Sequence, residues 1–300
     1  IKERALAQGI FNSGAAIGGI VSAPIVGLLF IWFGSWQATF IMIGVLGLLW
    51  LVPWLVVYKS GPATHPWLDE SERQYILTGQ RNEETHQVAE YAPNSGEILS
   101  RKESWGVILA SFFLDPIWWL FVGWLPLYLN ETYGFGVAEI ASFAWIPYVG
   151  AMFGAWFGGL LAQNRISAGW TVNKARKFVI SLGGLIMLIS LLLTIKAATP
   201  IVAVLLMAAI LFGFQTAVGN IQTLPSDFYS GKSVGSLAGF AGTAAKLAVV
   251  LLNFLIPVIT VNSYAPAFAV GAGLAIMTVV SVFILCPHIQ PLSPRSADSA

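Results

Sequence analysis

Apolar residues in this chain arrive in runs too long for strands and too uniform for amphipathic surface helices. Eight such runs stand at about residues 7–31, 38–57, 105–129, 137–162, 178–195, 201–224, 234–261 and 265–285. Each has close to the roughly 20 residues that an α-helix needs to cross a hydrocarbon layer about 30 Å thick. Hydrocarbon offers no partner to a backbone N–H or C=O, so a crossing segment satisfies its own backbone, and Pro24, Pro53, Pro116, Pro147 and Pro257 are tolerated inside the runs. The pattern predicts an all-α membrane protein with eight transmembrane helices. The polar breaks Phe33-Gly34-Ser35-Trp36 and Asn262-Ser263-Tyr264 are so short that the helices they join are antiparallel neighbours.

One break is long, from about Gly61 to Glu103, with two runs before it and six after. Within it, Asp69, Glu70 and Glu72 stand in a first turn, with Trp67, Leu68, Tyr75 and Ile76 on one side, predicting a short surface helix. The stretch Ala92-Pro93-Asn94-Ser95-Gly96 reads as a linker.

Composition agrees with the pattern. Hydrophobic residues make up 57% and charged residues 10% of the chain, against about 25% charged in a soluble domain, so a lipid bilayer is the expected surroundings. A net charge of +1 gives no electrostatic footprint for nucleic acid. The lone cysteine, Cys286, supports neither a disulfide framework nor a thiolate metal site, and no cofactor or metal is expected. If the runs alternate in direction, 13 of the 15 Lys and Arg residues fall on one side. The exceptions are Lys196, in an opposite loop, and Lys246, inside a run. The bias makes that side cytoplasmic and places both ends of the chain there.

The starts of the first and seventh runs share a weak likeness. Arg4 is followed ten residues later by Gly14, and Lys232 by Gly242. The two segments are six runs apart, as two parallel six-helix halves require. With the two-plus-six layout, and Ile rather than Met at residue 1, this predicts that four spans precede the sequence. The expected division is then residues 1–60 as the last two helices of an N-terminal half, 61–103 as a central cytoplasmic loop, 104–290 as a C-terminal six-helix half and 291–300 as a cytoplasmic tail.

Several motifs carry a family resemblance. They are Glu3-Arg4-Ala5 with Gly9-Ile10-Phe11-Asn12-Ser13-Gly14-Ala15-Ala16-Ile17-Gly18, then His65-Pro66-x-Leu68, Asp115-Pro116-Ile117-Trp118-Trp119 and Trp124-Leu125-Pro126-Leu127-Tyr128-Leu129. Gly169-Trp170-Thr171-Val172-Asn173-Lys174-Ala175-Arg176-Lys177 and Leu224-Pro225-Ser226-Asp227-Phe228 complete the set. The chain resembles the major facilitator superfamily, and within it the anion:cation symporter family and its hexuronate transporters. The resemblance implies eight of twelve transmembrane helices, an inner (plasma) membrane location and a monomeric secondary active transporter. It further implies proton-coupled symport of a sugar acid by alternating access. Its partners would be a small organic anion and protons. Transport of another organic or inorganic anion is the alternative within the family. The family's basic residue of the first span, and the Arg and carboxylate of the fourth, would lie before residue 1.

Few side chains inside the runs carry chemistry. Asp115 is the one carboxylate deep in a run, where a charge costs about 2.5–3.5 kcal/mol on insertion scales. It reads either as a proton-coupling or gating group or as a partner for backbone groups freed by Pro116. Lys246 is the one deep cation. It reads as the counter-ion of a substrate carboxylate or as the structural partner of Asp115. Asn12, Gln215 and Asn220, with Gln222 and Asn253, offer amides that hold sugar hydroxyls as donor and acceptor at once, or bond one helix to another. Trp119 and Tyr148 belong to an aromatic group with Trp118, Trp124, Tyr128 and Trp145, suited to the apolar face of a sugar ring or to anchoring at the interface. Gly150, Gly154 and Gly158 recur every four residues, a close-packing seam.

Arg4, Arg165, Lys174, Arg176, Lys177 and Asp227 stand at cytoplasmic helix ends. The resemblance implies a charge network there that latches the outward-open state. For Lys174 and Arg176 plain topology determination is the simpler reading. An enzyme is the less favoured class. His65, His86 and His288 all fall in cytoplasmic segments, and the chain has no His-Glu-x-x-His motif and no paired carboxylates inside a run. No catalytic residue is assigned. A channel is also disfavoured, since nothing reads as a selectivity filter.

Overall fold

The structure is a computed structural model and describes residues 4–86 and 91–294. These form thirteen helices: α1 (Arg4–Phe33), α2 (Trp36–Leu49), α3 (Leu51–Val57), α4 (Glu70–His86), α5 (Ser95–Ser100), α6 (Lys102–Tyr133), α7 (Val137–Phe143), α8 (Ile146–Ser167), α9 (Val172–Thr194), α10 (Pro200–Gln222), α11 (Leu224–Phe228), α12 (Gly231–Ile259) and α13 (Ala265–Leu285). Eight stretches are long and apolar enough to cross a membrane, and they coincide with the eight runs of the sequence. The chain is a multi-pass membrane protein.

Three of the eight stretches are broken in two, and in each a proline follows the break. Helix α2 ends at Leu49, α7 at Phe143 and α10 at Gln222, just before Pro53, Pro147 and Pro225. A proline donates no hydrogen bond to the carbonyl four residues earlier and disfavours helical backbone in the residue before it. Pro24, Pro116, Pro126 and Pro257 remain inside continuous helices.

Polar side chains close the helix starts. Ser35, Asn94, Thr171 and Thr199 each accept a backbone N–H of the first turn of α2, α5, α9 and α10. Asp69 does the same for α4, accepting from the N–H groups of Ser71 and Glu72. The Ser71 hydroxyl and these N–H groups hold the Asp69 carboxyl below its ordinary range. The surface helix therefore starts later than the sequence suggests. The supposed linker also differs: Asn94 caps α5 with a 2.9 Å bond to Glu97 N–H, and the Ser233 hydroxyl donates to the Pro93 carbonyl at 2.8 Å.

The chain divides into two compact units, residues 26–91 and residues 1–25 with 92–300. In the first, α2 packs on α3, and His65 and Arg73 tie the segment before α4 together, His65 Nε2 lying 3.1 Å from the Val57 carbonyl and Arg73 donating to the carbonyls of His65 and Leu68. The second unit is a bundle of six spans. Helix α10 packs against α8 and α9, and α6 packs against α12 and α13; α9–α13 and α6–α10 contacts join the two groups. Helix α6 therefore sits with the two spans that end the chain, and α10 sits with the second and third of the six. This is an exchange between two triplets of consecutive spans.

Small residues set the closest distances. A Cβ at Gly150, Gly154 or Gly158 would strike the backbone of Ala208, Phe212 or Thr216 in turn. Each step advances four residues on both helices, so α8 and α10 run parallel in fixed register. Gly183 and Gly213 let α9 and α10 touch backbone to backbone. On the other side, Leu120, Leu252, Ile256 and Ala267 join α6, α12 and α13 in one apolar core.

Because the obstacle at Gly154 is backbone, Gly154→Val has nowhere to shift. We expect a loss of about 1–3 kcal/mol or more, read as a lower melting temperature in detergent. Gly123→Ala, with nothing within 4 Å of the new Cβ, leaves the melting temperature unchanged.

Candidate functional site

The one deep carboxylate and the one deep ammonium meet. Lys246 Nζ on α12 donates to Asp115 Oδ2 on α6 at 2.6 Å. It also stands 5.0 Å from the centre of the Trp119 ring, near enough for the ring's negative face to attract it. Asp115 and Trp119 are four residues apart, one above the other on a helix face. About two turns further along the same two helices, Trp124 Nε1 donates to Asn253 Oδ1 at 3.1 Å. The two contacts advance together, so α6 and α12 run side by side and parallel. The apolar core of Leu120, Leu252, Ile256 and Ala267 packs against Trp124. The Lys246 side chain is 60% exposed and that of Asp115 is 23% exposed. The ammonium is thus both paired and accessible.

The other sequence-named residues fall elsewhere. The Tyr148 ring packs 5.8 Å from Trp118, which in turn lies 5.4 Å from Phe214. A Cβ at Gly19 of α1 would overlap the Tyr148 ring. Gln215 on α10 is 5% exposed, and its Oε1 has no hydrogen-bond partner among the described residues. Asn12 on α1 donates to Gln222 Oε1 on α10 at 2.9 Å, as does Gln8. These three amides join the start of α1 to the end of α10.

Asn220 lies in a second polar centre. Its Nδ2 donates to the carbonyls of Gly158 and Thr216, both at 3.3 Å. Its Oδ1 accepts from Arg176 Nη1 at 3.1 Å, while Arg176 Nε bonds Asp227 Oδ2 at 3.0 Å. The side chains of Arg176 and Asp227 are 0% and 3% exposed. Arg176 is therefore more than a topology signal, and its role was readable only through helix register. Gly183 touches Gly213. Two turns toward the start of α9 is Arg176, and two turns toward the end of α10 is Asn220, which antiparallel helices bring together.

Nearby, Lys174 and Arg165 stand 4.3 and 5.2 Å from the Trp170 ring centre. Lys177 donates to the Pro287 carbonyl at 2.8 Å. The Arg4 side chain, named with these from the sequence, lies outside the described residues.

Removing one member of a sealed pair leaves the other charged and unpartnered. Arg176→Ala should cost about 3–5 kcal/mol, seen as poor membrane yield and early melting. The apolar pair Arg176→Met with Asp227→Leu should recover most of the loss.

The sequence profile of the Major Facilitator Superfamily matches residues 1–253. The chain is 34% identical over 295 residues to the hexuronate transporter of Escherichia coli K12, covering 96% of this chain and 66% of that protein. It is 39% identical over 191 residues to the galacturonate transporter of Dickeya chrysanthemi, covering 62% of this chain and 54% of that one. A probable sulfoacetate transporter of Cupriavidus necator is 28% identical over 290 residues, covering 95% and 65%. The chain thus spans less than two thirds of the length of each of these relatives. With its eight apolar helices and the profile match over most of its length, the chain belongs to the Major Facilitator Superfamily.

Proposed function

We propose that the chain works in a secondary active transporter that takes a small organic acid, a sugar acid such as a hexuronate, into the cell together with a proton. The observation that carries this is the accessible Lys246 ammonium, held by Asp115 above the Trp119 ring. A carboxylate leaving water loses several kcal/mol of hydration unless it finds a partner, and Lys246 supplies one. The indole face of Trp119, 38% exposed, suits the apolar face of a sugar ring. The named cargoes of the three relatives all carry an anionic head, and two carry a sugar ring as well. Asp115, whose charged neighbour among the described residues is Lys246, is the carboxylate available to take the coupled proton.

We further propose that α6 to α13 form one six-helix half, that α1 to α3 belong to the other, and that a single chain carries the whole path. The Lys and Arg bias supports an inner-membrane orientation with both ends cytoplasmic. On that orientation the Gln8, Asn12 and Gln222 contact lies at the cytoplasmic end and is one that alternating access must break.

Lys246→Ala in the full-length protein should weaken substrate binding on the order of 10- to 100-fold, the worth of a charged hydrogen bond, with normal membrane yield. Unchanged affinity at normal yield would remove Lys246 from the site. Net uptake should quicken as the outside is acidified, and Asp115→Asn should lose that acid-driven uptake.

Orientation is tested by labelling intact cells. Cysteines at Ser35 and Ser263 should react from outside, and one at Ser95 should not. The native Cys286 stays silent: it is buried, and burial pushes its thiol up to about 12. Labelling at Ser95 would reverse the orientation.

A further inference from the structure

Asp115 sits where the carboxylate of an acid would have to sit to bond Lys246. Its Oδ2 occupies the near side of the ammonium at 2.6 Å while Trp119 backs it at 5.0 Å. An incoming acid therefore meets a cation that is already taken. We infer that Asp115 is an internal substitute for the substrate's anionic head, displaced when the acid binds and restored when it leaves. This rests on Lys246 being the anion anchor proposed above.

Two features support exchange over a fixed structural bond. The first is access. A pair with one member 60% exposed leaves the ammonium open to a competing anion. The Arg176–Asp227 pair, 0% and 3% exposed, has no such access. The second is the setting. Among the described residues no other ion pair links α6 to α12, and the apolar core of Leu120, Leu252, Ile256 and Ala267 holds the two helices together without it.

The arrangement has a consequence for the cycle. A carrier must change its open side both loaded and empty. With acid bound, the acid neutralises Lys246; with the site empty, Asp115 does so. In neither case does the closing cavity seal an unpartnered ammonium, which would be costly. Asp115 is thus a positioning residue for the empty return, and it lowers affinity by competing.

The test uses the full-length protein in membranes and in proteoliposomes, with galacturonate as the probe acid. Asp115→Asn should bind the probe about three- to tenfold more tightly, the scale of an exposed ion pair. It should keep exchange of internal for external probe and lose net uptake, because only net uptake needs the empty return. Asp115→Glu should restore net uptake. The double variant Asp115→Asn with Lys246→Gln should reach the membrane and fail to bind. Unchanged or weaker binding in Asp115→Asn, while Lys246→Ala has lost binding, would overturn the inference and leave the anchor reading standing. So would a double variant that regains binding and uptake, the mark of a structural pair. Unchanged binding in Lys246→Ala would overturn the anchor itself.

Discussion

A charge withdrawn from water needs a partner, and the six-helix bundle meets that need in two opposite ways. Arg176 and Asp227 are closed off, with Asn220 bonding Arg176 on one side and two backbone carbonyls on the other. Nothing outside can compete for either charge, so the pair fixes where α9, α10 and α11 meet. Removing one partner there costs about 3–5 kcal/mol. Lys246 and Asp115 are as close, yet open on one face. An exposed pair is worth about 0–1 kcal/mol. The first bond is suited to holding a shape and the second to being exchanged.

The open pair depends on the closed parts of the bundle. Its geometry is set by the two helices that carry it, and these are held together by the core shared with α13. Helix α13 in turn packs on α9, and α9 on α10 through Gly183 and Gly213. Glycine is required at that contact because backbone meets backbone, as it does along Gly150, Gly154 and Gly158. In lipid, water gives little drive for helices to associate, and close van der Waals packing does that work. A side chain at any of these glycines would pry apart the frame that supports the site, far from the site itself.

The eight spans were legible because hydrocarbon permits few solutions and each leaves a run of about 20 apolar residues. The breaks at Trp50, Ala144–Trp145 and Thr223 were not foreseen, although the prolines behind them were in view. Of seven such prolines, four stay inside continuous helices and three follow a break, so local sequence does not decide the outcome. Asp115 and Lys246 stood out as single deep charges, but their meeting depends on α6 and α12 lying side by side, which no local pattern encodes. Arg176 was misjudged for the same reason. A cation at a helix start usually faces water, and only the register set by Gly183 and Gly213 turns it inward. Asn94 is the reverse case. Its capping role was readable from Asn before Ser-Gly-Glu, and the neighbouring Pro93 suggested a linker instead.

The amide contact of Gln8, Asn12 and Gln222 completes the contrast between fixed and exchangeable bonds. Neutral hydrogen bonds between membrane helices average about 0.6 kcal/mol, and Gln222 is exposed, so water replaces its partners readily. Had this junction been built as a sealed ion pair like Arg176–Asp227, opening it would cost several kcal/mol. A ligand shifts a conformational equilibrium only by the difference in its affinity for the two states. A junction of weak amides keeps the required difference within reach of one small molecule making a few contacts. The sealed ion pair therefore lies inside the bundle, and weak amides lie where the start of α1 meets the end of α10, while Gly9 and Gly19 bring α1 close against α8.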